Sequence, residues 1–194
     1  MKQPPFEDEQ VLIQAIRERL PQLEPLVSPL VISIDGLGGT GKTTLAAKIA
    51  EALGGRVVSL DDHLAPHHGT YLPHLRYAEV GAQLESTQRE VTSLVVVEGL
   101  YVLSALDHLR ITPAISIYIR RVDQYGRWND EFSYSEENDL QEQMQAIDRR
   151  ERSPGDDDDD REAVSYHINR KPITNADFVL DRPARLPSPK AASA

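Results

Sequence analysis

Residues 31–45 read VISIDGLGGTGKTTL, and the rest of the chain is organised around them. Val31 to Ile34 is a β-branched apolar run of the kind that forms a buried strand. Gly36, Gly38, Gly39 and Gly41 follow, in a turn that exploits glycine's tolerance of positive φ. Lys42, Thr43 and Thr44 then open an alanine-rich helix. Gly36, Gly41, Lys42 and Thr43 fill the pattern G-x-x-x-x-G-K-[ST], with Leu37, Gly38, Gly39 and Thr40 between them. This is the phosphate-binding P-loop, set between a strand and a helix as the motif requires. The loop amides and the helix N-terminus present N–H groups and positive potential to a polyphosphate. In this pattern Lys42 lies along the β- and γ-phosphates, Thr43 ligates magnesium, and Thr44 continues the cradle.

The same glycines, Gly36-x-Gly38-x-x-Gly41, also satisfy a dinucleotide fingerprint, and Asp61 follows about 20 residues on, where a ribose-binding acid is expected. The residues after the third glycine separate the two readings. A dinucleotide site has no use for Lys-Thr there, whereas a nucleoside triphosphate with magnesium uses both.

Composition narrows the remaining classes. The 194 residues suffice for one domain with a proper core. With 21 basic and 31 acidic residues the formal charge is −10. That balance disfavours nucleic-acid partners, whose binding rests on phosphate neutralisation. The chain has no cysteine, hence no disulfide framework or thiolate chemistry. No apolar run approaches the roughly 18 residues of a membrane span, and MKQPPFEDEQ does not resemble a signal peptide. A soluble, cytoplasmic protein is the default expectation.

Ahead of the first strand, Met1 to Pro5 reads as a loose tail. Phe6 to Leu20 has apolar residues at helical spacing, and Pro21, Pro25 and Pro29 end that helix. Residues 1–29 are thus expected to be a helical extension in front of the nucleotide-binding unit, its helix reading as a packing helix. Leu30 to Asp35 is the first strand and Gly41 to Leu53 the first helix of that unit, closed by Gly54-Gly55. Arg56 to Leu60 is the second strand, with Asp61, Asp62 and His63 at its carboxyl end, where open parallel sheets bind ligands. His63, His67, His68 and His74 follow in a loop whose spacing matches no familiar zinc pattern. Tyr77 to Leu84 reads as a short helix, and Ser86 to Thr92 is polar and ambiguous.

Leu94 to Val97 is a buried central strand by composition. It ends at Glu98, placed to partner magnesium in a P-loop protein. Leu100 to Leu109 reads as helix, Ala114 to Ile119 as the fourth strand and Asp177 to Leu180 as the fifth. Between those two strands lie Arg120, Arg121 and Arg127, a helix over Leu140 to Ile147, and Arg149, Arg150 and Arg152. The run Asp156 to Asp160 reads as a solvated loop, since five neighbouring carboxylates repel. Arg161 to Arg170 reads as a short helix and residues 182–194 as a flexible tail.

Three blocks, IDGLGGTGKTTLA (Ile34 to Ala46), VVSLDDHL (Val57 to Leu64) and VVVEGLYVL (Val95 to Leu103), resemble the uridine kinase-like branch of the P-loop kinases. That branch includes phosphoribulokinase and bacterial pantothenate kinase. A weaker block, ITNADFVLD (Ile173 to Asp181), is similar to the family's last strand. The resemblance implies a P-loop NTPase three-layer α/β/α sandwich over residues 30–181, with a five-stranded parallel sheet in the order 2-3-1-4-5. It also implies an arginine-rich lid at about 120–170. Carried over by position, Asp61 matches the acid that takes the acceptor's proton, Glu98 the acid that helps hold magnesium, and Arg149 and Arg150 lid arginines that offset charge on the transferring phosphate. Asp62, His63 and Tyr101 are candidate acceptor contacts. Where uridine kinases usually carry an aromatic pair, His63-Leu64 stands instead. The expectation is therefore phosphoryl transfer from ATP with Mg2+ to a hydroxyl of a small metabolite: a nucleoside, a sugar or a vitamin alcohol. The competing reading is an ATP-driven switch without an acceptor. A GTPase is disfavoured because no N-K-x-D follows the fourth strand.

Overall fold

The structure, a computed structural model, describes residues 4–23, 30–66, 69–89, 94–125, 137–149 and 159–183. Arg127, Arg150, Arg152, His67, His68 and Asp156 to Asp158, all singled out above, lie outside the described residues. In chain order the elements are α1 (Glu9–Leu23), β1 (Leu30–Asp35), α2 (Lys42–Leu53), β2 (Arg56–Ser59), α3 (Tyr77–Arg89), β3 (Leu94–Glu98), α4 (Val102–His108), β4 (Ile115–Val122), α5 (Glu137–Arg149), α6 (Asp159–Arg170), α7 (Pro172–Asn175) and β5 (Phe178–Pro183). Short 3₁₀ turns at Asp61–His63 and Leu72–His74 lie between β2 and α3.

The five strands form one sheet in the order β2-β3-β1-β4-β5, and every pairing is parallel. β1 and β3 are buried along their whole length. Successive side chains of a strand point to opposite faces, so an apolar run at the centre of the sheet feeds two cores. Leu30, Ile32, Ile34, Leu94 and Val96 join one cluster with Leu12, Ile16, Leu45 and Ile49 of α1 and α2. Val31, Val95 and Val97 join the other with Val80, Val102, Leu106 and Val164 of α3, α4 and α6. Helices thus cover both faces, giving the three-layer α/β/α architecture of a P-loop NTPase.

Several local expectations shift. α1 begins after Asp8, whose carboxylate caps the Gln10 and Val11 amides at 2.7 and 3.1 Å, and it runs two residues past Pro21. α1 contributes Leu12, Ile13, Ile16 and Leu20 to the core, and Phe6 bonds β5 through Phe6 N–H to Val179 O (2.8 Å) and Asp181 N–H to Phe6 O (2.7 Å). α3 absorbs the polar stretch through Arg89. Asp159 and Asp160, expected in a solvated loop, instead form the first turn of α6. Negative charge is favoured there by the helix dipole. Arg182 and Pro183, expected in the tail, are the last residues of β5. Among the described residues no helix is long and apolar enough to cross a membrane.

Candidate active site

The carboxyl ends of β1, β2 and β3 deliver the candidate residues to one rim of the sheet. β1 ends at Asp35 and passes into the glycine turn. A Cβ on Gly36 would lie 2.4 Å from the Ile119 carbonyl oxygen, so only glycine lets the turn pack on β4. Gly41, at φ 91°, precedes α2, and a Cβ there would lie 1.9 Å from Arg182 Nη1. Two arginines from the ends of β4 and β5 hold the outside of the turn. Arg182 Nη1 donates to Thr40 O at 3.1 Å, and Arg121 Nη2 donates to Gly39 O. In a planar trans peptide the N–H points away from its carbonyl. Drawing these two carbonyls outward therefore aims the Thr40 and Gly41 amides to the opposite side.

Inside the turn, Leu37 O collects three donors: Lys42 Nζ at 2.9 Å, Thr40 Oγ1 at 2.9 Å and Thr40 N–H at 3.4 Å. Lys42 is buried, so its ammonium is held close to the loop amides rather than in solvent. Thr43 and Thr44, in the first turn of α2, are exposed.

Glu98 ends β3 and is 1% exposed. Its Oε1 accepts from Ser59 Oγ at 2.6 Å and from Thr43 Oγ1 at 3.2 Å. Its Oε2 is buried with no hydrogen-bond partner. A buried carboxylate oxygen without a donor is costly, and a cation beside the Thr43 hydroxyl would satisfy it. One carboxylate and one hydroxyl form a donor set suited to Mg2+, which keeps several waters and binds substrate phosphates. Among the described residues no group of three or more His, Cys, Asp or Glu could hold a metal ion; His67 and His68 lie outside them.

Asp61 stands on the same rim. The residue before it, Leu60, donates its N–H to Glu98 O at 2.9 Å. Tyr71 Oη donates to Asp61 Oδ1 at 2.7 Å. That phenol also lies beside Gly99, 3.1 Å from where a Cβ would stand. Burial first, then the Asp61 carboxylate, pushes the Tyr71 hydroxyl far above its ordinary range, so it stays a proton donor.

The other expected residues separate. Asp62 is exposed. His63 turns to α3, with Nε2 at 2.5 Å from Gln83 Oε1 and Nδ1 at 3.6 Å from Glu79 Oε2. Tyr101 is 6% exposed and packs between Tyr71 (5.9 Å, edge-on) and Tyr166 (5.0 Å, tilted). It is part of an aromatic cluster under the rim. Arg149 Nη2 bonds Gln145 Oε1 of its own helix at 3.2 Å.

Sequence reasoning missed Asp35. It is 4% exposed, accepts from Gly36 N–H at 2.8 Å, and accepts from the Tyr166 hydroxyl of α6. Burial pushes its carboxyl up to about 6, against the opposing pull of the Tyr166 hydroxyl, the Gly36 amide and the Lys42 charge. One acid in an otherwise apolar strand was the available signal. Tyr71, Tyr166, Ser59 and Arg182 carried no local signal, and Arg121, named among the arginines after the fourth strand, was not read as a turn contact.

A parallel sheet in the order 2-3-1-4-5, with this glycine turn between β1 and α2, defines a P-loop NTPase α/β fold. Several solved structures are similar to it. A possible uridine kinase from Bacillus stearothermophilus is 18% identical, with 86% of this chain and 100% of that chain covered, at a TM-score of 0.49. A protein provisionally assigned as a fructose transport system kinase, from Silicibacter sp. TM1040, is 15% identical over 92% and 99% of the two chains, at 0.46. A gluconokinase from Sinorhizobium meliloti 1021 is 15% identical over 81% and 85%, at 0.37. No protein-family model and no curated protein matches the sequence. The fold class rests on the sheet order and the glycine turn themselves.

Proposed function

We propose that the protein is an ATP-dependent phosphotransferase acting on a hydroxyl of a small metabolite. The observation that carries this reading is Glu98. It is a buried carboxylate with one oxygen unpartnered, and its other oxygen is bonded to the hydroxyl of the P-loop threonine. A regulator that only bound nucleotide would need the turn. It would not need a second acid, Asp61, held by a tyrosine on the same rim.

In this reading the loop amides and Lys42 bind the β- and γ-phosphates, with Lys42 exchanging Leu37 O for phosphate oxygen. Thr43 and Glu98 would hold Mg2+, which when bound offsets phosphate charge. Asp61 accepts the proton of the acceptor hydroxyl as the acceptor oxygen bonds to the γ-phosphorus and the bond to ADP breaks. Most of the rate enhancement in such transfers comes from positioning and charge stabilisation, and general-base help of this kind contributes about 10²–10⁴-fold.

The test is ADP release from ATP-Mg2+ against a panel of nucleosides, sugars and vitamin alcohols. At least one class is expected to raise ADP release well above the water background, and Lys42→Ala to abolish that increment. Equal ATP hydrolysis with and without every compound would favour the acceptor-free switch.

A further inference from the structure

One face of α6 touches both halves of the rim. Glu162 and Tyr166 are four residues apart, hence neighbours on a helix surface. Glu162 accepts from two consecutive backbone amides, Tyr71 N–H at 2.5 Å and Leu72 N–H at 2.9 Å. It thereby caps the 3₁₀ turn Leu72–His74 and fixes the backbone of the tyrosine that holds Asp61. One turn further along, Tyr166 donates to Asp35, whose other oxygen accepts from the first amide of the glycine turn. The Tyr101 ring lies between the two tyrosines. Next to Tyr166, and with its ring edge-on to it at 5.4 Å, His167 donates through Nδ1 to Ala163 O of its own helix at 2.7 Å and meets Tyr118 Oη of β4 at 2.8 Å through Nε2.

We propose that α6 is the positioning element of this site: through Glu162 and Tyr166 it sets the spacing between the glycine turn and Asp61. This rests on the phosphotransfer reading, in which the turn carries the nucleotide and Asp61 the acceptor. A helix attached to only one half would leave the other free to move. Attached to both at two side chains on one face, α6 transmits a change at the turn to the Tyr71 backbone. Glu162 and Tyr166 are positioning residues; neither is assigned a contact with substrate.

The experiment is amide hydrogen exchange on the full chain, with and without Mg2+ and the non-hydrolysable analogue adenylyl imidodiphosphate. In the wild-type protein the analogue is expected to slow exchange in the turn at residues 36–43 and also at residues 71–75. The second effect is expected to be at least about fivefold, the low end of ordinary coupling between sites. In Tyr166→Phe and in Glu162→Gln the turn is expected to remain protected by the analogue, while protection at 71–75 falls below about twofold. Tyr118→Phe, which removes the hydroxyl that meets His167 and leaves the Glu162 and Tyr166 side chains in place, is expected to keep both effects. Exchange of β1 and β3 amides in the unliganded variants reports whether each has folded. Undiminished protection at 71–75 in both coupling variants overturns the proposal, as does a wild-type protein protected at the turn alone. If the analogue protects neither region, the phosphotransfer reading itself fails, and this inference with it.

Discussion

Asp35 and Asp61 occupy opposite circumstances on one rim. Asp35 is sealed between the glycine turn and α6. Raising a carboxyl from 3.8 to about 6 corresponds to roughly 3 kcal/mol against its charged form. The sign follows from proton linkage: the folded state binds the proton more tightly, so stability is lost as pH rises from about 4 through about 6. Asp35→Asn keeps an oxygen for the Gly36 amide and carries no charge. Its stability relative to wild type is therefore expected to improve by up to about 3 kcal/mol between pH 4 and pH 8. Urea unfolding of both proteins across that range measures the difference, and a flat difference would contradict the account. Asp61, by contrast, is exposed and bonded to one tyrosine. Asp61→Asn is expected to lower kcat by about 10²–10⁴-fold while leaving nucleotide affinity close to wild type. Once an acceptor is in hand, steady-state kinetics decides this, and near-full activity would remove Asp61 as the base.

At the scale of elements, the N-terminal helix does more than cover a sheet face. Glu9 at its start pairs with Lys48 of α2 at 2.5 Å and with Arg182 of β5, and Arg182 in turn holds Thr40 O. Its apolar side, with Leu12 and Ile16 fully buried, packs on α2 and β5. Ile16→Ala is expected to cost about 2–5 kcal/mol, the range for emptying a well-packed core position. Chemical denaturation provides that number; a cost under 1 kcal/mol would mean that α1 is not part of the cooperative unit. The Asp159–Asp160 correction belongs to this scale too. Charge repulsion within a run is a local argument, whereas a helix start offers those carboxylates a favourable field.

At the scale of the molecule, the parallel order β2-β3-β1-β4-β5 gathers the ends of β1, β2 and β3 at one edge. The P-loop was legible because its chemistry is written in consecutive residues, and Glu98 because an acid closing an apolar strand is visible in a short window. Asp61 and Glu98 were legible as rim residues because each follows the carboxyl end of a strand read as parallel, and the resemblance supplied the strand order that the sheet then shows. Tyr166 meets Asp35 across 131 positions and Arg182 meets Thr40 across 142. Pairs so remote leave no periodic or motif signal. By itself, then, the sequence determined the strand–turn–helix at 31–45, the apolar strands and the acids at their ends, because hydrophobic period and backbone constraint act over a few residues. Tertiary structure alone decided that α6 spans both halves of the rim and that Asp35 is buried, because burial and long-range hydrogen bonds exist only once the layers have packed.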